Sequence, residues 1–131
     1  MGKKKLILFI EDDHATVEVY KIALEGANFR VNVIISGQEA IDEIREIAKG
    51  NKEKPNLVLL DYVLPDLDGI EILKEIRKDQ NTKDIKVFLS SNYSIEELKR
   101  KGKLVDGEKI ILKADYPPSK MVGLIKKELS S

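Results

Sequence analysis

A chain of 131 residues with 23 basic and 23 acidic side chains has no net charge with which to seek nucleic acid or an anionic membrane. Without cysteine it can build neither a disulfide framework nor a thiolate metal site. The length suits one domain over residues 1–131, no apolar run approaches a membrane span, and the run behind Lys3-Lys4-Lys5 is too short for a secretory signal, so a cytoplasmic setting is expected.

Residues 5–10 (KLILFI) are apolar almost throughout, as in a strand buried on both faces, and they run into Glu11-Asp12-Asp13. Over residues 14–25, Val17, Tyr20 and Leu24 recur at helical spacing, with Gly26 as the expected stop. Residues 30–35 (RVNVII) predict a second strand. Ser36-Gly37-Gln38-Glu39 has the form of a capping box, followed by the stripe Ala40, Ile41, Ile44, Ile47 and Ala48 and an end at Gly50. Residues 56–60 (NLVLL) predict a third strand that delivers Asp61 at its carboxyl end, before Pro65, Asp68 and Gly69 turn the chain.

A third helix is expected over residues 69–79 with Ile72, Leu73 and Ile76 inward, then a strand over 85–90. Ser94-Ile95-Glu96-Glu97 is a second capping box, opening a short helix that Gly102 ends. A last strand over 109–112 precedes a helix starting near Pro117-Pro118, with Met121, Val122, Ile125 and Leu129 on one face. Strands alternating with helices predict an α/β fold, a doubly wound parallel sheet of five strands with helices on both faces.

In the strand order 2-1-3-4-5, Glu11, Asp12 and Asp13 meet Asp61 at the topological switch point, where open sheets bind ligands. Carboxylates about 5 Å apart repel by roughly 3 kcal/mol per pair at an effective dielectric near 20. A hard divalent cation with oxygen ligands, Mg²⁺ or Mn²⁺, relieves that conflict. Solvated loop acids are the alternative in a chain that is 35% charged. Ser90 and Ser91 end the fourth strand and Lys113 the fifth, so a hydroxyl and an ammonium would converge on the same pocket.

Together, Ile10-Glu11-Asp12-Asp13, the pattern Asp61-x-x-x-Pro65-x-x-Asp68-Gly69, Ser91 and Lys113 resemble the receiver domain of two-component response regulators over essentially the whole chain. The resemblance implies a flavodoxin-like fold with Asp61 as phosphoacceptor. It implies Asp12 and Asp61 as direct metal ligands, Glu11 as a ligand through water, and the Val63 carbonyl as a further one. Lys113 would pair with a phosphoryl oxygen and Ser91 would supply the switch hydroxyl, with Ser90 as the competing register. The implied donor is a histidine kinase or phosphotransfer protein. A downstream protein target would read helix four, strand five and helix five, and nucleic acid or membrane would not be bound by this domain. The implied activity is self-phosphorylation and self-dephosphorylation rather than turnover of a separate substrate, in a monomer or weak dimer.

Four positions depart from the family pattern: Ile110 replaces an aromatic, Ala114 a proline after the lysine, Ser91 a threonine and Leu64 a methionine. A non-proline bond after Lys113 is expected trans. His14 is expected to be an exposed first-turn residue, and Lys99, Arg100, Lys101 and Lys103 a solvated helix face. The alternative function is a non-phosphorylated pseudo-receiver acting as an interaction module. A haloacid dehalogenase-type phosphatase would need a second Asp where Val63 stands. A flavin phosphate loop is opposed by Glu11-Asp12-Asp13, and a P-loop is absent.

Overall fold

Five apolar segments become the strands β1 (Leu6–Ile10), β2 (Arg30–Ile34), β3 (Leu57–Asp61), β4 (Lys86–Ser91) and β5 (Lys109–Leu112). The computed structural model, which describes residues 3–130, pairs all of them in parallel in the order β2-β1-β3-β4-β5. This is the expected doubly wound sheet. Parallel strands need crossovers, supplied by α1 (His14–Gly26), α2 (Gly37–Ala48), α3 (Gly69–Arg77), α4 (Ile95–Arg100) and, after β5, α5 (Pro118–Ser130).

Side chains alternate across the sheet, so each central strand feeds two apolar layers. Ile7, Phe9, Leu57, Leu59, Phe88 and Ile111 pack under α1 and α5 with Leu24, Met121 and Ile125. Leu8, Ile10, Val58, Leu60, Val87 and Leu89 pack under α2, α3 and α4 with Ile44, Ile72, Ile76 and Leu98. Each fully buried Leu or Ile contributes about 1.5–3 kcal/mol. That alternation also decides which polar residues at the strand ends can meet.

The helix ends follow local chemistry with some substitutions of role. Asp13 caps α1 by accepting from Thr16 N–H at 2.9 Å. α1 ends at Gly26 as expected, with Ala27 as its cap, and the left-handed residue that turns the chain is Asn28, at φ 71°. At α2, Ser36 accepts from Glu39 N–H at 3.3 Å, but the next amides, Gly37 and Gln38, donate to Asp66 at 2.8 and 2.9 Å. The capping box at Ser94 and Glu97 closes in both directions. The third helix stops at Arg77, two residues short of the expected end. There its guanidinium forks onto Glu108 and donates to the Lys83 and Ile85 carbonyls. A turn of 3₁₀ helix over Lys113–Asp115 joins β5 to α5, which the sequence pattern did not announce.

Candidate metal and phosphoacceptor site

At the carboxyl edge of the sheet, Glu11 follows β1, Asp61 ends β3 and Lys113 follows β5. The period of two carries all three onto the α1 and α5 side, continuing Ile7–Phe9, Leu57–Leu59 and Lys109–Ile111. The outcome is a shared ion pair: Lys113 Nζ lies 3.1 Å from Glu11 Oε1 and 3.1 Å from Asp61 Oδ2. Glu11 and Asp61 are buried while Asp12 stays exposed at the mouth. Carboxylate oxygens of Glu11, Asp12 and Asp61 can lie within 4.8 Å of one another.

Two buried carboxylates share one ammonium and the exposed Asp12 adds a third carboxylate beside them, so acids outnumber bases in the cluster. Burial and then the neighbouring Asp61 raise the Glu11 carboxyl above its ordinary value, while Lys113 and the Asp13 amide pull it back. Burial by itself would lower Lys113, but Asp61 and Glu11 outweigh it and hold the ammonium above its usual range. An all-oxygen donor set with unbalanced negative charge and one open side matches a hard divalent cation. The residues present therefore fit a hard divalent cation, for which Glu11, Asp12 and Asp61 could supply carboxylate oxygens.

The loop after β3 is built close around Asp61. Val63 N–H donates to Asp61 Oδ1 at 3.3 Å, and Gly69 N–H donates to the Tyr62 carbonyl at 2.8 Å. A short antiparallel bridge pairs Val63 with Asp68, so the Val63 backbone sits beside the carboxylate while its side chain is exposed. Gly69 leaves no room for a side chain unless the backbone shifts, since a Cβ there would lie 2.4 Å from the Asp61 carbonyl oxygen. Asp66 fastens the outer part of this loop to the α2 amides, and those two hydrogen bonds hold its carboxyl below the ordinary range. Nothing in the sequence pattern links Asp66 to residues 29 and 28 positions away.

The two serines separate cleanly. Ser90 stands opposite Asp61 in the β3–β4 register and lines a small cavity with Glu11 and Lys113. Ser91 is fully buried, and its hydroxyl donates to the Tyr93 carbonyl at 3.0 Å and accepts the Tyr93 N–H at 2.8 Å. Ile110 is half-buried against the α2, α3 and α4 layer. All peptide bonds among the described residues are trans, the Lys113–Ala114 bond included. His14 is exposed in the first turn of α1, and Lys99, Arg100, Lys101 and Lys103 are exposed around the end of α4. Sequence reasoning missed the hydroxyl of the buried Tyr62, which donates to the Lys103 carbonyl and ties the end of β3 to the segment before β5. No helix among the described residues is long and apolar enough to cross a membrane.

Comparison with known proteins gives a consistent picture. A family model described as response regulator receiver domain matches residues 7–126. RpaA, a DNA-binding dual master transcriptional regulator of Synechocystis, is 36% identical over 83 residues, which are 63% of this chain and 32% of that protein. TrcR, a transcriptional regulatory protein of Mycobacterium tuberculosis, is 39% identical over 77 residues, 59% of this chain and 28% of its own. The chain thus aligns with about a third of the length of these curated relatives. Among solved structures, the phosphorylated cyanobacterial phytochrome response regulator RcpA matches with TM-score 0.75 at 28% identity, over 98% of this chain and 95% of that one. The receiver domain of the sensor histidine kinase PA1611 from Pseudomonas aeruginosa, described with a magnesium ion coordinated in its active-site cleft, matches with TM-score 0.79 at 18% identity. It shares the fold over 98% of this chain and 99% of its own.

Proposed function

The chain belongs to the response regulator receiver domain family, and from that membership and the geometry at Asp61 we propose that it accepts a phosphoryl group from a phosphohistidine of a histidine kinase or phosphotransfer protein. The observation that carries the reading is the convergence of Lys113 on both Glu11 and Asp61 at one edge of the sheet. Asp61 supplies the attacking carboxylate oxygen. As its bond to phosphorus forms, the phosphorus–nitrogen bond of the donor breaks and the electron pair leaves with the imidazole nitrogen. Asp61 Oδ1 accepts a long bond from Val63 N–H at 3.3 Å, while Lys113 grips Oδ2 at 3.1 Å. Lys113 is placed to follow the negative charge from the carboxylate to a phosphoryl oxygen. Catalysis of this kind is positioning plus charge neutralisation.

A divalent cation, held by Glu11, Asp12, Asp61 and the Val63 carbonyl, would neutralise charge on the transferring group. The Mg²⁺ in the PA1611 receiver's cleft supports that assignment by likeness of fold. Ser91 supplies the hydroxyl that a new phosphoryl group competes for, against its present bonds to Tyr93. Because Tyr93 leads directly into the cap of α4, that exchange biases the surface of α4, β5 and α5 that a protein target reads. The domain acts on itself rather than on a separate substrate.

Intact-mass measurement after incubation with Mg²⁺ and acetyl phosphate or phosphoramidate tests the reading. One phosphoryl adduct is expected, lost with EDTA and in Asp61→Asn; Ser91→Ala and Ser90→Ala in the same assay separate the two serine registers. No adduct from any donor would favour the pseudo-receiver, and continued labelling of Asp61→Asn would overturn the acceptor assignment.

A further inference from the structure

Lys113 stands outside any strand, on a turn whose side-chain anchors are its own ion pairs and Tyr116, packed against the layer under α1 and α5. Within Lys113–Asp115, Ala114 and Asp115 are exposed, and the following Pro117 and Pro118 have no N–H to donate. Inside the turn, Tyr116 N–H donates to the Lys113 carbonyl at 3.1 Å. The Tyr116 carbonyl then accepts the hydroxyl of Tyr20 at 2.6 Å, across 96 residues of sequence. Tyr20 lies mid-way along α1 with its ring against Phe9, the centroids 6.2 Å apart. It lines the same small cavity as Glu11, Ser90 and Lys113. Burial lifts its phenol above the ordinary value, so the hydroxyl remains a donor through the neutral range.

We propose that Tyr20 is a positioning residue for the chemistry at Asp61. Its hydrogen bond to Tyr116 holds the 113–116 turn so that Lys113 Nζ reaches Glu11 and Asp61 together. A lysine stem is flexible, and the location of its ammonium depends on where its backbone is held. Glu11 leads directly into α1, which carries Tyr20. The Tyr20 bond therefore ties the turn that carries the lysine to the helix that follows one of its two carboxylate partners. The sequence spacing alone would assign Tyr20 to the apolar face of α1, and its ring does pack there, but the hydroxyl has a separate task. This inference rests on the reading of Asp61 as the acceptor.

Tyr20→Phe keeps the ring and removes the oxygen, so it isolates that bond. The expected result is single-turnover phosphorylation by phosphoramidate slowed roughly fivefold to tenfold, the factor that one lost hydrogen bond converts to. The Mg²⁺ dissociation constant should stay within about twofold, since Tyr20 is outside the carboxylate set. Thr82→Val removes a buried hydroxyl–carbonyl bond of the same kind, to Ile76 at 2.7 Å, and should leave the rate unchanged. In a Lys113→Met background, Tyr20→Phe should add no further loss, because it acts through the lysine. An unchanged rate in the otherwise wild-type protein, or an equal fractional loss with and without Lys113, would overturn the proposal. If the wild-type protein takes no phosphoryl group, the acceptor reading fails, and the holding of the turn is decided by amide hydrogen exchange at Tyr116. Faster exchange in Tyr20→Phe supports it and unchanged exchange refutes it.

Discussion

Gly69→Ala sets two physical effects of opposite sign against each other at the back of the site. The backbone of Gly69 is outside the left-handed region, so alanine is conformationally permitted there. Reduced freedom in the unfolded chain should then stabilise the protein by about 0.4–1 kcal/mol. Against this, the new Cβ would lie 2.4 Å from the Asp61 carbonyl oxygen and 3.1 Å from Tyr62 Cα. Comfortable carbon contacts begin at about 3.5 Å, so roughly 1 Å must be recovered. The obstructing atoms are strand backbone and cannot rotate aside. Relief requires the start of α3 to withdraw from β3, which stretches the Gly69 N–H bond to Tyr62. Overpacking costs about 1–3 kcal/mol and a strained hydrogen bond about 1 more, so a net loss of about 1–3 kcal/mol is expected. Urea unfolding followed by far-UV circular dichroism measures it, since the chain has no tryptophan. The displacement also moves Asp61, so phosphoryl labelling should slow in parallel. Gly26→Ala is the matched control, with no atom within 4 Å of its Cβ, and should gain the entropic 0.4–1 kcal/mol. A Gly69→Ala protein as stable as the wild type, with normal labelling, would refute the close approach of β3 and α3.

Arg77→Lys should destabilise by about 1–2 kcal/mol in the same urea assay, because a point charge cannot reproduce the fork onto Glu108 and the bonds to the Lys83 and Ile85 carbonyls. Glu108→Ala should cost less, as the two carbonyl bonds survive; the reverse order would show that the ion pair dominates. Lys113→Met leaves Glu11 and Asp61 facing each other, and should cost about 1–3 kcal/mol at neutral pH, recovered on adding Mg²⁺. The folded protein holds the Lys113 proton more tightly than the unfolded chain, above the ordinary 10.5. Its stabilisation is therefore fully present below pH 10.5 and lost as pH rises through the folded value. Urea titrations of both proteins from neutral to alkaline pH should converge only there, and convergence near neutrality would show that the ammonium is not paired as described.

Most of the fold was legible in the sequence for local reasons. Continuous apolar runs such as LVLL can be stable only when buried on both faces, and the helical stripes between them impose crossovers, so a parallel doubly wound sheet follows. Asp61, Glu11 and Lys113 were legible as candidates because each stands at the carboxyl end of an apolar run, the edge where such sheets bind ligands. The response regulator receiver domain model matches residues 7–126, a span that contains all three.

What only the tertiary structure decided were encounters between residues far apart in the chain and the facing of neighbours. Ser90 and Ser91 are indistinguishable in composition, yet the pleat puts one beside Asp61 and the other against Tyr93. Asp66 reads as an ordinary turn residue until the fold brings the amides of Gly37 and Gln38 to it. Gly69 reads as a helix-start glycine until the 2.4 Å approach to Asp61 shows why a side chain would force the backbone to shift. Tyr20 and Tyr116 are joined by a hydroxyl whose partner no periodicity can reveal. Period and propensity are properties of neighbours along the chain, whereas a hydrogen bond across 96 residues depends on how the layers pack.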